Sequence, residues 1–218
     1  MSRAKPVLAA LGDSAITVTL AESPSREATA YARRFASRVR QAGISHLEEV
    51  LPAYTAVTIF YDALHLPFDD LCSRLQTLLG EEDSPSADAN TPCCHRIRVV
   101  YDGPDLADVA AATGLTTDEV VQLHSSRIYD VDLLGFVPGF AYLSEIDARL
   151  ELPRRAQPRQ RVPAGSVAIA SRLTGIYPFE TPGGWHILGR TVAVMFDPRR
   201  AEPSLFHPGD TVKFERAQ

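Results

Sequence analysis

The 218-residue chain lacks most of the motifs that mark a self-sufficient catalyst. It has no G-x-x-x-x-G-K-[ST] loop and no G-x-G-x-x-G, so no segment advertises a phosphate cradle. No paired His/Asp/Glu constellation stands out, and the expectation is no metal. The 3 cysteines are Cys72, Cys93 and Cys94. An odd number with one adjacent pair excludes a disulfide framework and suits a reducing compartment. Cys93-Cys94-His95 has no second cluster to complete a four-ligand zinc site, so these thiols read as small apolar fillers. Long apolar runs are also missing. After Met1-Ser2-Arg3-Ala4-Lys5-Pro6 comes a short run broken by Gly12 and Asp13, which is neither a secretory signal nor a membrane span. The expectation is a cytoplasmic protein. Positive charge is in deficit: the net charge is −5 and the pI about 5.7, which excludes a global attraction to nucleic acid or anionic membrane. Lysine is nearly absent, since all of the 22 basic residues but Lys5 and Lys213 are arginine. Any single arginine cluster is therefore discounted somewhat against that background.

What is present is a soluble, globular composition, 45% hydrophobic and 22% charged, in a chain long enough for two domains. Residues 1–80 read as a compact α+β unit of order ββαββα, with strands at 7–11, 15–20, 47–51 and 56–61. Ser23-Pro24 offers an N-cap and first-turn proline for a helix carrying Ala28, Tyr31, Ala32, Phe35 and Val39 on one face. Phe68, Leu71, Leu75, Leu78 and Leu79 form the stripe of a second helix that Gly80 ends. Antiparallel strands with both helices on one face are the expected arrangement. Residues 81–94 are acidic, small and poor in apolar side chains, and read as a linker. Residues 95–218 open with a strand at 96–100 and a short helix at 105–112. Thr116 and Glu119 then form a capping box for a helix reaching His124. Beyond Ser126, short β-type runs at 128–133, 167–170, 186–188, 191–196 and 211–214 are punctuated by Pro and Gly, as in a barrel or sandwich.

The densest concentration of glycine, proline, arginine and aromatic residues runs from Gly135 to Trp185. Gly135-Phe136-Val137-Pro138-Gly139-Phe140 sets two rings four residues apart around a Pro-Gly pair, which favours a type II turn. The rings either plug a barrel end or shape a groove, and Tyr142, with its polar tip, is the aromatic best suited to meet a ligand. Arg149, Arg154, Arg155, Arg159 and Arg161 fall within thirteen residues, stiffened by Pro153 and Pro158. Arg154 and Arg159, each beside a proline, are the candidates for capturing a carboxylate or phosphate. Gly165 and Ser166 could let a ligand approach the backbone; Ser166 lies in no nucleophile elbow, so a serine hydrolase is excluded. Thr174–Pro178, containing Tyr177, and Thr181-Pro182-Gly183-Gly184-Trp185 read as paired turns. The lone Trp185 is a packing anchor or an interface residue. His124 either moves protons or interacts with its own helix end.

These segments carry a resemblance. Tyr101-Asp102-Gly103-Pro104-Asp105-Leu106, His124-Ser125, Gly135–Phe140 with Tyr142-Leu143, Pro153-Arg154-Arg155 and Pro158-Arg159 occur in one order. Val162–Val167, Thr174–Pro178, Pro182–Trp185 and Pro208-Gly209-Asp210 continue it. In that order they resemble the family of the 5-oxoprolinase B subunit, which also holds allophanate hydrolase subunit 1, the carboxyltransferase C subunit and sporulation kinase inhibitors. Ala141 and Ser144 stand where the family often has Pro and Gly. The resemblance implies a cyclophilin-like β-barrel for residues 95–218. It also implies a non-autonomous, ATP-using enzyme subunit that works with a homologous C subunit and a separate A subunit to open the lactam of 5-oxo-L-proline to L-glutamate.

On that reading Arg159 and Arg154 contact anionic groups, and His124 and Tyr129 handle protons or orient substrate. Phe136, Pro138, Phe140, Tyr142, Gly165, Ser166, Tyr177, Gly183, Gly184 and Trp185 shape a substrate or partner surface. The rivals are a histidine-kinase inhibitor gripping its target with the barrel, and a urea- or allophanate-related carboxyltransferase subunit.

Overall fold

A computed structural model describes residues 5–81 and 92–217. The chain divides into two compact units, Met1–Thr91 and Pro92–Gln218. Most of the expected 81–94 linker lies outside the described residues.

The first unit has the expected ββαββα order: β1 (Val7–Ala10), β2 (Ala15–Thr19), α1 (Arg26–Gln41), β3 (Leu47–Pro52), β4 (Ala56–Tyr61) and α2 (Phe68–Gly80). Its sheet is antiparallel throughout, in the order β1-β2-β4-β3. Ala32, Phe35, Ala36 and Val39 of α1 and Leu71 and Leu75 of α2 share one core with Ile16, Val18, Val57 and Ile59 of the sheet, so both helices cover the same face. Each large side chain fully buried there contributes about 1.5–3 kcal/mol. The cap of α1 is Ser25, not Ser23: its hydroxyl accepts from the Ala28 N–H at 3.1 Å.

The second unit contains β5 (Cys94–Val99), α3 (Leu106–Thr113), α4 (Thr117–Ser126), β6 (Ile128–Leu134), β7 (Ala141–Ser144), β8 (Arg159–Val162), β9 (Ser166–Ala170), β10 (Leu173–Ile176), β11 (Thr181–Gly183), β12 (His186–Arg190) and β13 (Thr211–Arg216). Seven strands form one sheet in the order β12-β9-β10-β7-β6-β13-β5, and β8 pairs with β11 separately. The sheet curls until its two edges nearly meet. Val100 and Arg190 exchange both backbone hydrogen bonds at 2.9 Å, and the Gly103 N–H donates to the Leu188 carbonyl at 3.0 Å. This seam needs glycine on each side. A Cβ on Gly189 would lie 2.3 Å from the Val100 carbonyl oxygen, and one on Gly103 2.3 Å from that of Ile187. The interior is filled by Val99, Val131, Leu143, Val167, Ile169, Leu188, Val212 and Phe214 among others, so the barrel is a packed core.

Thr116 and Glu119 form the expected capping box at the start of α4. Two local expectations fail. Residues 191–196 are not a strand: the Thr191 hydroxyl accepts from the Ala193 N–H at 3.2 Å in a local turn, and Val192 is 94% exposed. Of the segments read as paired turns, 174–176 belong to strand β10 and 181–183 to strand β11. Gly175 sits within β10 because a Cβ there would come 2.9 Å from the Ala141 carbonyl oxygen of the neighbouring strand. No described helix is long and apolar enough to cross a membrane.

Candidate functional site

The loop from Pro153 to Pro158 is held against the seam by Asp105, whose side chain is only 1% exposed. One carboxylate oxygen accepts from Arg155 at 2.5 Å and from Arg159 at 2.7 Å; the other accepts from Arg159 at 2.8 Å and from the Ile187 N–H at 2.7 Å. Burial alone would raise the Asp105 pKa. The hydrogen bonds from Arg159 and Ile187, with the two guanidinium charges, more than offset it and hold the group below its ordinary value. Arg159 therefore grips an internal carboxylate bidentately, and its expected contact with a bound anion is replaced by this structural one. Nothing local in the sequence singles out Asp105 or its pairing with Arg155. The partners of Asp105 lie 82 and 50 residues away, which no short-range pattern displays.

An aromatic shelf is centred on Phe140, and its Tyr177 feels the charges of Arg154 and Arg159. Phe140 makes edge-to-face contacts with Phe136 at 5.6 Å, Tyr142 at 5.0 Å, Tyr177 at 5.4 Å and Trp185 at 5.5 Å. Phe140, Tyr177 and Trp185 are buried, Tyr142 is half-buried and Phe136 is 59% exposed. Two successive turns produce that outward ring. The Val137 N–H donates to the Gly135 carbonyl at 2.8 Å around Phe136, whose φ is +68°. The Phe140 N–H then donates to the Val137 carbonyl at 3.0 Å around Pro138-Gly139, with Gly139 at φ +79° as a type II turn requires. A phenylalanine in the left-handed region costs on the order of 1–3 kcal/mol, and strain of this kind collects at functional surfaces. Pro138 is exposed at the rim, whereas Gly183 lets the Tyr177 hydroxyl approach: a Cβ there would sit 2.3 Å from it. Burial raises the Tyr177 pKa, against the opposing pull of the Trp185 N–H and the Arg154 charge.

The sequence crowds five arginines into this region, and the structure sorts them. Arg149 pairs with Asp147, Arg161 with Glu180, and Arg155 and Arg159 with Asp105. Arg154 is exposed and has no acidic partner among the described residues. It flanks Gly184 and lines a cleft of about 580 Å³ with Asp108, Leu152, Arg155, Gln157 and His186. Arg154 thus lines the cleft and its charge also reaches Tyr177 of the shelf, while the shelf's rings themselves lie outside the cleft lining.

His124 and Tyr129 are brought together, but in the core and away from this face. Both are 0% exposed. The hydrogen bonds run in one direction. The Thr174 hydroxyl donates to the Ala168 carbonyl at 3.0 Å, so it accepts from His124 Nε2–H at 2.8 Å. His124 Nδ1 then accepts from the Tyr101 hydroxyl at 2.7 Å, and the Tyr129 hydroxyl donates to the His124 carbonyl at 2.7 Å. Burial holds the imidazole neutral with a pKa of about 3. It also raises the Tyr101 and Tyr129 pKa values. A neutral imidazole with both nitrogens engaged and no access to solvent is a structural hub, not a proton carrier.

Gly165 and Ser166 are likewise structural. The close approach at Gly165 comes from the chain itself, since a Cβ there would lie 2.3 Å from the Thr191 carbonyl oxygen, and Ser166 is 4% exposed.

Comparison with known proteins places this geometry. The model of the carboxyltransferase domain, subdomains C and D, matches residues 6–206. The 5-oxoprolinase B subunit of Escherichia coli O157:H7 is 39% identical over 98% of this chain and 96% of its own length. The solved structure of TTHA0988 superposes with a TM-score of 0.83 at 38% identity over 94% of this chain; this chain spans 40% of that protein's length. The Kluyveromyces lactis urea amidolyase shares the fold at 18% identity and a TM-score of 0.77, over 97% of this chain and 15% of that enzyme.

Proposed function

The chain belongs to the family of carboxyltransferase domains, subdomains C and D, and on that premise we propose that it is the B subunit of a 5-oxoprolinase complex. The complex opens 5-oxo-L-proline to L-glutamate at the expense of ATP, with a homologous C subunit and a separate A subunit. The observation that carries the assignment of the site is Arg154: of the five clustered arginines it is the one without an acidic partner among the described residues, and it stands beside the aromatic shelf. Arg154 binds the substrate carboxylate. Tyr142 and Phe136 pack the lactam ring and exclude water from it, which strengthens the charge contact. Asp105 acts through Arg155 and Arg159 to keep the loop that bears Arg154 in place.

The described α-helix N-termini do not suit a triphosphate. Each of the four described α-helices has an acidic residue in its first turn, Glu27, Asp69 and Asp70, Asp108, or Asp118 and Glu119, which opposes the positive helix end that phosphate would use. We therefore assign no step on this chain to ATP and propose that a partner subunit binds the nucleotide. The kinase-inhibitor and carboxyltransferase-arm readings are not favoured, because the curated relatives matched over nearly the whole chain are 5-oxoprolinase subunits.

The test is reconstitution of this chain with its A and C partners, following 5-oxoproline-dependent ATP hydrolysis while each chain is omitted in turn. Activity should vanish without this chain, and Arg154→Ala should raise KM for 5-oxoproline at least 10-fold, as loss of a charge-assisted contact of about 1.5–3 kcal/mol requires. Full activity without this chain would refute the assignment. Unchanged kinetics in Arg154→Ala would remove Arg154 from the site.

A further inference from the structure

We infer that the first unit carries a divalent-metal site formed by His46, Asp62 and His65, selective for zinc-like ions. The inference is independent of the function proposed above. The sequence shows no metal-ligand spacing because the three residues meet only when β3 and β4 pair. Leu47 lies opposite Tyr61 in that ladder, so His46 and Asp62 flank its open end, and the Asp62 N–H donates to the His46 carbonyl at 2.9 Å. The chain then turns back on itself. The Asp62 carbonyl accepts from the His65 N–H at 3.1 Å and the Leu66 N–H at 2.9 Å, with Leu66 buried beneath as an anchor.

This turn sets each donor. Asp62 Oδ1 accepts from the Leu64 N–H at 3.0 Å, which orients the carboxylate and leaves Oδ2 facing His65 Nδ1 at 2.6 Å. A ligand whose second oxygen is already hydrogen-bonded is the outer-shell support that metal sites use. His46 holds a left-handed backbone, φ +67°, and its ring lies over that of His65 with centroids 5.1 Å apart and planes within 14°. One ligand atom from each of the three residues lies within 4.8 Å of the other two. Metal–ligand bonds of about 2.0–2.2 Å place tetrahedral ligand atoms roughly 3.4 Å apart. Binding requires the two exposed imidazoles, now stacked nearly parallel, to turn until their in-plane nitrogens converge on the ion with Asp62 Oδ2.

The donor set selects the ion. Two imidazoles and one carboxylate suit Zn²⁺, Co²⁺, Ni²⁺ or Cu²⁺, while Mg²⁺ and Ca²⁺ want more oxygens. Three protein ligands leave the fourth position for water or for a group from a partner.

The experiment is isothermal titration of the full chain with Zn²⁺ and with Mg²⁺. It is done in a background with Cys72, Cys93 and Cys94 changed to serine, so that thiols do not bind the metal elsewhere. Co²⁺ is added in parallel for its visible absorption. One equivalent of Zn²⁺ should bind, Mg²⁺ should not compete, and bound Co²⁺ should show a four- or five-coordinate spectrum. The double variant His46→Ala/His65→Ala should weaken Zn²⁺ binding by about 100-fold or more, beyond what loss of an outer-shell contact produces. Asp62→Asn, which keeps an oxygen for the Leu64 N–H, should weaken it less. Absence of stoichiometric Zn²⁺ binding in the cysteine-free background, or binding undiminished in the folded double variant, would overturn the site.

Discussion

Replacement of His124 by Gln should make the barrel unit less sensitive to acid. In the folded protein this imidazole stays neutral down to a pKa of about 3, since its burial disfavours the charged form. In the unfolded chain it titrates near the ordinary value of about 6.5. The unfolded state therefore binds more protons below that value, and stability falls as the pH drops from about 6.5 toward 3. At about 1.4 kcal/mol per pH unit, the His124 contribution to unfolding falls by roughly 1.4 kcal/mol between pH 8 and pH 5.5. Glutamine has no such proton to gain.

At pH 8 the Gln variant should be the weaker protein by about 1–3 kcal/mol, because Tyr101, Thr174 and the side-chain amide no longer match as donors and acceptors. The gap should then shrink by roughly 1.4 kcal/mol at pH 5.5. The assay is urea unfolding followed by the fluorescence of Trp185, the single tryptophan, which is buried in the same unit. If both proteins lose the same free energy between the two pH values, within ~0.3 kcal/mol, the reading of His124 as a buried neutral hub is wrong.

Three further outcomes follow from the geometry. Asp105→Ala should destabilise the barrel unit by roughly 2–3 kcal/mol, somewhat below the 3–5 typical of a broken buried pair because the two arginines remain partly hydrated; urea unfolding measures it, and a loss under ~0.5 kcal/mol would refute the clamp. Gly189→Ala drives a methyl group into the Val100 carbonyl across the seam, at an expected cost of about 3 kcal/mol or more; hydrogen exchange at Val100, Gly103 and Arg190 should accelerate, and unaltered protection there would count against the seam. Phe136→Gly should raise stability or leave it unchanged, because it relieves a left-handed phenylalanine worth on the order of 1–3 kcal/mol, yet it should lower turnover in the reconstituted complex. Undiminished turnover would show that the exposed ring serves neither substrate nor partner.

Legibility in the sequence followed the range of the interaction. The ββαββα order, the capping box at Thr116 and Glu119, and the turn at Pro138-Gly139 were all readable, because each depends on residues within a few positions of one another. The ordered motifs from Tyr101 to Asp210 carried the family. The sorting of the arginines was not readable. Arg154 and Arg159 look alike beside their prolines, and they part company only because Asp105 lies 54 residues from Arg159 and reaches it across the seam. His124 reads as a groove or helix-end residue, yet its partner Thr174 is 50 residues away in β10 and takes it into the core. Residues 191–196 have a strand's composition but form no continuous ladder: the Thr191 N–H donates to the Gly165 carbonyl, and only Phe196 bridges another segment, at Ser204.

By itself, then, the sequence determined the local elements and the family, and it marked the stretch between Gly135 and Trp185 as the candidate surface. Tertiary structure decided which of that surface's charges are available. A charge about 3 Å from a buried carboxylate and one left in water are the same residue in sequence, and the difference lies in pairing and desolvation that exist only once distant strands have closed the barrel. The same closure in the smaller unit brings His46, Asp62 and His65 to one hairpin end, where sequence spacing alone shows two histidines nineteen residues apart.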